Sequence, residues 1–79
     1  MGASRTYTVI LEPAEEGGFI VRVPALPEIV TEGDTEDEAL AMAQDAIELV
    51  LESRHERGEP IPDDIGDPVV RKLTVAIAA

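Results

Sequence analysis

The sequence predicts an α+β fold, a two-layer βββαβ sandwich in which one helix packs on a sheet of about four strands. Two kinds of periodicity lead to this prediction. Short segments alternate apolar and polar residues, as β-strands do, and one long segment repeats apolar residues every three or four positions, as a helix does. The chain has 79 residues, enough for one small core. We expect a single domain over residues 1–79, structured from about 5 to 78.

The first two strands are predicted as a hairpin over residues 6–12 and 19–23, joined by a polar loop that ends in Gly17 and Gly18. One face of this hairpin is apolar and consists of Tyr7, Val9, Leu11, Phe19, Val21 and Val23. The opposite face is half apolar and carries Thr6, Thr8, Ile10, Ile20 and Arg22. A monomer would leave this second face uncovered, which favours association.

A third strand is predicted at residues 28–32, after a rigid corner that contains Pro24 and Pro27. After the helix, residues 59–68 hold three prolines and four acids, which is typical of an extended connection. Residues 69–78 alternate again and are predicted as a fourth strand. A helix between the third and fourth strands would pack across one face of the sheet. Its crossover should be right-handed if the fourth strand runs parallel to its neighbour.

The helix is predicted over residues 35–57. Thr35 and Glu38 match a capping box, in which the two side chains accept hydrogen bonds from each other's backbone N–H. One apolar stripe follows at helical spacing and consists of Ala39, Leu40, Ala43, Ala46, Ile47, Val50 and Leu51. Gly58 has the position of a glycine that ends a helix.

The charge balance restricts the partners of this chain. Seventeen acids against six bases leave a net charge of −11. Such a chain repels phosphate backbones and attracts basic proteins, so we expect no direct binding of nucleic acid by an isolated copy. No apolar run is long enough to span a membrane, and no signal sequence begins the chain. We therefore expect a soluble, cytoplasmic protein without membrane contact.

Few residues could carry catalysis. One His, no Cys and a single Ser within the structured part, Ser53, nearly exclude nucleophilic triads, and no glycine-rich phosphate loop is present. Glu48, Glu52 and His55 lie within about two helical turns and could hold a divalent ion. A solvated face near the end of the helix explains these three residues better. The sequence therefore predicts no catalytic residue, no metal site, no cofactor and no enzymatic activity.

The helix face opposite the apolar stripe is acidic. It carries Asp37, Glu38, Asp45, Glu48, Glu52 and Glu56. We expect Glu48, Glu52 and Asp45 to contact a basic partner protein, because they lie on the central and later turns of this face.

A second predicted contact surface is apolar. Met42 and Leu49 lie seven residues apart, just beyond the edge of the core stripe, where they either widen the core or meet another subunit. Ile10 and Ile20 lie on the uncovered face of the sheet. These four residues are the predicted oligomer interface of a dimer or higher oligomer. Because acidic copies repel each other, this oligomer should weaken as salt is removed.

Several motifs in fixed register resemble the HicB-like antitoxin family. They are Gly18-Phe19, Pro24-Ala25-Leu26-Pro27, Thr31-Glu32-Gly33-Asp34-Thr35, the pair Glu38-Ala39 with Ala43 and Ala46, and Gly58-Glu59-Pro60-Ile61-Pro62. The resemblance covers about residues 7–62. Its most specific part is the TxGDTxxEA run, which places strand end, turn, helix cap and helix start in order.

The resemblance implies a partly degenerate ribonuclease H-like fold of βββαβ order. It also implies an antitoxin of a type II toxin–antitoxin system. Such an antitoxin binds and neutralises a small, basic, HicA-like toxin that cleaves mRNA. Longer members of the family add a C-terminal DNA-binding segment. This chain ends soon after its predicted fourth strand, so it resembles a short form, and operator binding is not expected of it.

Two other functions are compatible with the pattern to different degrees. An orphan, non-enzymatic oligomer without a toxin partner is the main alternative. A residual nuclease is disfavoured, because ribonuclease H chemistry needs converging carboxylates that hold divalent metal. The predicted strand interiors carry almost none, as the run Phe19-Ile20-Val21-Arg22 illustrates.

Overall fold

A computed structural model describes residues 4–78 of the chain. These residues form three strands and one helix, β1 (Ile10–Pro13), β2 (Phe19–Arg22), β3 (Val30–Gly33) and α1 (Glu36–Glu56). The strands make one antiparallel sheet in the order β1-β2-β3. The α+β class and the order of these four elements are confirmed.

The β1–β2 hairpin has the predicted faces. Ile10 pairs with Arg22, and Glu12 pairs with Ile20, so these side chains lie on one face of the sheet. Arg22 Nε donates a hydrogen bond of 2.8 Å to a carboxylate oxygen of Glu12 across the strands. The loop needs glycine because Gly17 and Gly18 have φ angles of +97° and +77°.

The helix begins and ends where local signals predict. Thr35 is the N-cap, with extended backbone, and its Oγ1 accepts a hydrogen bond of 3.1 Å from Glu38 N–H. The reciprocal bond of a full capping box does not occur among the hydrogen bonds of residues 4–78. At the other end Gly58 has φ +68°, and its N–H donates to the carbonyl of His55. The Glu59 N–H donates to the carbonyl of Arg54, which completes a Schellman motif.

The core consists of two adjoining clusters. The first joins Val21 to Ala39 and Ala43, so the small side chains of the helix let it approach the sheet closely. The second contains Val23, Leu26 and Ile29, all at most 5% exposed. The predicted corner between the prolines therefore contributes a fully buried Leu26 to the core. Two backbone hydrogen bonds fold the corner inward, from Leu26 N–H to the Val23 carbonyl and from Ile29 N–H to the Leu26 carbonyl.

The predicted fourth strand is absent from the described part of the chain. Residues 69–78 have no regular structure and no sheet partner in residues 4–78. Their large apolar side chains are 71–90% exposed, namely Val69, Val70, Leu73, Val75 and Ile77. Alternation of apolar and polar residues indicates that a segment can form a strand, but a strand also needs a neighbouring strand for its hydrogen bonds. Here the chain turns away from β1 after Gly66, whose φ is +88°.

Candidate functional site

A groove lies beside β1, between residues 4–9 and the helix, and we call it the β1 groove. It exists because α1 lies mainly over β3 and β2, which leaves the inner side of β1 partly uncovered. Its volume is about 810 Å³. Apolar side chains line it, namely Tyr7, Val9, Leu40, Ala43, Ile47, Leu51 and Ile61. Its exposed polar lining consists of Ser4, Arg5, Thr6, Gln44, Glu48, Glu52 and His55.

A second groove lies between the β1–β2 loop and the start of the helix, and we call it the hairpin groove. Its volume is about 770 Å³. Five carboxylates line it, those of Glu15, Glu16, Glu32, Asp34 and Glu38. Phe19, Ile20 and Met42 add apolar surface. Despite this acidity, no three His, Asp or Glu side chains within residues 4–78 converge closely enough to hold a metal ion.

The structure separates the three residues predicted to contact a partner. Glu48 and Glu52 both line the β1 groove, where the amide of Gln44 donates a hydrogen bond of 3.2 Å to Glu48. Asp45 is exposed but lines neither groove. His55, considered with Glu48 and Glu52 as a metal ligand, also lines the β1 groove. Asp45, Glu48 and Glu52 are all exposed on α1, and their role in binding a partner stays a prediction.

The four residues of the predicted oligomer interface are likewise divided. Met42 and Ile20 meet at the hairpin groove. Leu49 is 69% exposed and lines neither groove. Ile10 is half-buried on the outer face of the sheet. These residues do not form one continuous patch, and their contact with another subunit stays a prediction.

The segment after the helix is fastened to the start of the chain. Thr8 donates two hydrogen bonds to the carboxylate of Asp64, from its backbone N–H at 2.8 Å and from its hydroxyl at 2.7 Å. These two bonds hold the pKa of Asp64 below its usual value. The Tyr7 hydroxyl donates to the carbonyl of Pro62. Sequence reasoning missed Asp64, because nothing in the local pattern of a proline-rich connection indicates a partner 56 residues away.

The end of the helix is fastened to the proline corner. Arg54 donates a hydrogen bond of 2.7 Å to a carboxylate oxygen of Glu28 and another of 3.3 Å to the Pro60 carbonyl. The hydrogen bond from Arg54 is the main reason why the pKa of Glu28 lies below its usual value. Both contacts join the end of the helix to neighbouring segments of the chain.

The described residues offer exposed surfaces and grooves for binding. No buried side-chain polar atom in residues 4–78 lacks a hydrogen-bond partner. Such an atom would have indicated a missing ligand. The helix of this structure is too polar to cross a membrane. The exposed acidic side of α1 and the β1 groove are therefore the candidate functional surfaces, and both suit a macromolecular partner.

Comparison with known proteins gives a consistent result. A family described as HicB_like antitoxin of bacterial toxin-antitoxin system matches residues 7–69. The chain is 47% identical over 66 residues to Antitoxin HicB 1 of Photorhabdus laumondii. These 66 residues cover 81% of this chain and 43% of that protein. It is 41% identical over 56 residues to Antitoxin HicB of Escherichia coli K12, covering 71% of this chain and 41% of that protein. The chain thus spans less than half the length of these two antitoxins.

A further relative matches the chain over most of both lengths. It is a UPF0150 protein of Thermoplasma acidophilum, 41% identical over 63 residues, which are 80% of this chain and 91% of that protein.

Proposed function

The chain belongs to the HicB-like antitoxin family, and from this membership we propose that it binds and neutralises a small, basic, HicA-like toxin that cleaves mRNA. The observation that carries the proposal is the family match over residues 7–69. The net charge of −11 supports it, because a protein that cleaves RNA must itself attract polyanions.

Neutralisation in this proposal is steric and electrostatic. The antitoxin covers the basic surface with which the toxin binds RNA, and its carboxylates take the place of phosphates. The chain needs no catalytic residue for this task. Opposite net charges also accelerate encounter, so the association rate should fall steeply as salt is added.

The acidic side of α1 is the proposed contact surface. Asp45, Glu48 and Glu52 are exposed on a helix that is fixed by a cap at one end and by Arg54 at the other. A rigid helix presents carboxylates without a large loss of side-chain and backbone freedom on binding. Glu48 and Glu52 also border the β1 groove, into which an apolar side chain of the toxin could reach.

The experiment combines purified protein with a HicA-like toxin and follows RNA cleavage and complex formation by gel filtration. We expect a complex and loss of cleavage at stoichiometric antitoxin. The triple variant Asp45→Asn, Glu48→Gln, Glu52→Gln should bind at least about tenfold more weakly, because it removes three charges from one surface. Undiminished cleavage and no complex with the unaltered protein would refute the proposed function.

A matched control tests the surface separately from the function. The variant Glu15→Gln, Glu16→Gln, Glu32→Gln also removes three charges, but from the hairpin groove. None of these three side chains makes a hydrogen bond or ion pair among the described residues. We expect near-normal inhibition from this variant. Equal weakening by both triple variants would show that overall charge, and not the acidic side of α1, determines binding.

An orphan oligomer without a toxin is the alternative function. The near full-length match to the UPF0150 protein of Thermoplasma acidophilum, whose name states no activity, keeps this alternative open. The neighbouring reading frame distinguishes the two. A basic frame of about 60–80 codons next to this gene favours the pair, since a domain of that size is small but can fold alone.

The remaining features of the proposal concern fold and location. A partly degenerate ribonuclease H-like fold of βββαβ order is part of the proposal, and the three antiparallel strands followed by a helix support it. We also propose that the protein acts in the cytoplasm, where its RNA-cleaving partner would find mRNA.

A further inference from the structure

Residues 67–78 form a tail that extends from the folded body. The molecule measures 58 Å along its longest axis and 25 and 19 Å along the others, whereas a helix of 21 residues spans only about 32 Å. The odd-numbered positions of the tail carry Val69, Arg71, Leu73, Val75 and Ile77. In an extended strand these side chains would lie on one face, which is apolar except at Arg71, so the tail has the pattern of a strand but no partner among residues 4–78.

The folded body has an unpaired sheet edge at β1, to which such a strand could add. β1 is an edge strand that pairs only with β2 among residues 4–78. The β1 groove lies beside residues 4–9, which lead directly into β1, and the half-buried side chains of Tyr7, Val9, Ile47 and Leu51 line it. An unpaired edge and an adjoining apolar groove together have the two properties that an added strand requires.

The connection to the tail leads along this edge and then away from it. Arg5 contacts Asp63, and Thr8 contacts Asp64 and the Gly66 carbonyl, so residues 63–66 lie beside residues 5–8. The chain then turns at Gly66. Pro68 favours an extended conformation for the residue before it. The residues beyond Pro68 are exposed and do not pair with β1 in the described part of the chain.

We propose that the tail of one copy adds to the free edge of β1 in a second copy, reciprocally, and places Leu73, Val75 and Ile77 in the β1 groove of that copy. The exchange makes a two-fold symmetric dimer in which each sheet gains a fourth strand from its partner. Residues 66–68 act as the hinge. Such an exchange is a common route to a dimer when a hinge leads one element away from its own body.

Charge and size favour a second copy as the occupant. All seventeen acidic residues precede Pro68, whereas the tail beyond it carries Arg71 and Lys72 and no acid. The tail is therefore the part of the chain that an acidic body attracts. The ten residues 69–78 of the tail and the fourteen that line the β1 groove match the size of a standard interface, about 20–30 residues on each side. This inference does not rest on the proposed function, because it needs no toxin.

The oligomeric state of the full 79-residue chain tests the proposal. Light scattering across micromolar concentrations at physiological ionic strength should report a dimer. Val75→Asp should raise the dimer dissociation constant about 100-fold or more, because it places a carboxylate in an apolar groove. Residues 69–78 are exposed and make no hydrogen bond or ion pair with the rest of the described chain, so far-ultraviolet circular dichroism should stay unchanged at room temperature. Thr74→Asp is the matched control, since it adds the same charge on the opposite face of the tail and should leave the dimer intact.

Nuclear magnetic resonance identifies whose groove the tail enters. In a mixture of ¹³C-labelled and unlabelled protein, filtered spectra should show contacts between tail methyl groups of one copy and the Tyr7 ring or Val9 methyls of the other. Contacts confined to one copy would overturn the proposal, as would a monomeric wild type. A dimer that survives Val75→Asp but dissociates with Leu49→Asp would also overturn it and assign the interface to the outer side of the helix.

Discussion

The carboxylate of Asp64 accepts hydrogen bonds from both the backbone N–H and the hydroxyl of Thr8, at 2.8 and 2.7 Å. These two residues are separated by 56 positions in the chain, and their contact fastens the segment after the helix to the segment before β1. It also determines where the tail leaves the body, because Gly66 follows Asp64 by two residues. The contact therefore links the stability of the fold to the geometry of assembly.

Stability should depend on pH through Asp64. The pKa of this carboxyl lies below its ordinary value of 3.8 in the folded protein. A carboxyl with a lowered pKa stabilises the fold above its unfolded pKa, and this contribution is lost as the pH falls through its folded pKa. Asp64→Asn should therefore be less stable than wild type at pH 7. Denaturant titrations should show the two proteins converging as the pH approaches about 2. A constant difference in stability between pH 7 and about 2 would contradict this origin.

The helix cap should be worth a measurable part of the total stability. Thr35→Ala removes the acceptor for Glu38 N–H and should lower the free energy of unfolding by about 0.5–2 kcal/mol. Thr35→Ser keeps the hydroxyl and should lie close to wild type. Thermal melts followed by circular dichroism measure both variants. Equal melting temperatures for wild type and Thr35→Ala would show that the cap contributes nothing.

Gly33 should tolerate no side chain. A Cβ at this position would lie 2.7 Å from the Cα of Ala39 and closer still to its nitrogen, and both are backbone atoms that cannot move alone. Gly33→Ala should therefore lower the free energy of unfolding by about 3 kcal/mol or more, at the upper end of overpacking costs. At Gly17 a Cβ meets nothing within 4 Å, but φ is +97°, so Gly17→Ala should cost only about 1–2 kcal/mol. Chemical denaturation compares the two, and equal losses would show that the helix can shift away from β3.

Charge should be excluded from the inner side of the helix. Ala46 packs against the cluster formed by Val23, Leu26 and Ile29. Ala46→Asp should cost about 1–3 kcal/mol, because the carboxylate loses water and gains no partner. Ala41 is exposed on the same helix, and Ala41→Asp should change the free energy of unfolding by less than about 0.5 kcal/mol. Urea titrations of both variants test this, and similar losses would point to helix propensity or net charge as the cause.

Local signals predicted the helix better than the strands. Thr35 and Gly58 bracket α1 within one residue of the predicted limits, because caps act within a single turn of backbone. The first strand was predicted four residues too early, at residue 6, since residues 6–9 alternate properly but have no strand beside them in the described chain. The burial of Leu26 was not predicted, because the prolines at positions 24 and 27 indicated only a rigid corner.

The candidate site also has one part that the sequence predicted and one part that it did not. Helical spacing alone placed Glu48 and Glu52 on one exposed side of α1, and the structure confirms that both are exposed. The groove that they border could not be predicted. It arises because the helix lies toward β3 and not over the centre of the sheet, an offset that depends on the close approach at Gly33.

The sequence by itself determined the order of the three strands and the helix, the limits of the helix, the two faces of the hairpin and the family. These features depend on interactions between residues a few positions apart, or on motifs in fixed register. Only the tertiary structure decided that Leu26 is buried, that Asp64 binds Thr8, and that residues 69–78 do not pair with their own β1. The physical reason is that side-chain alternation specifies which face of a strand is apolar. The edge of a strand bonds through backbone N–H and C=O groups, which every sequence has, so the alternation does not indicate which strand it will pair with.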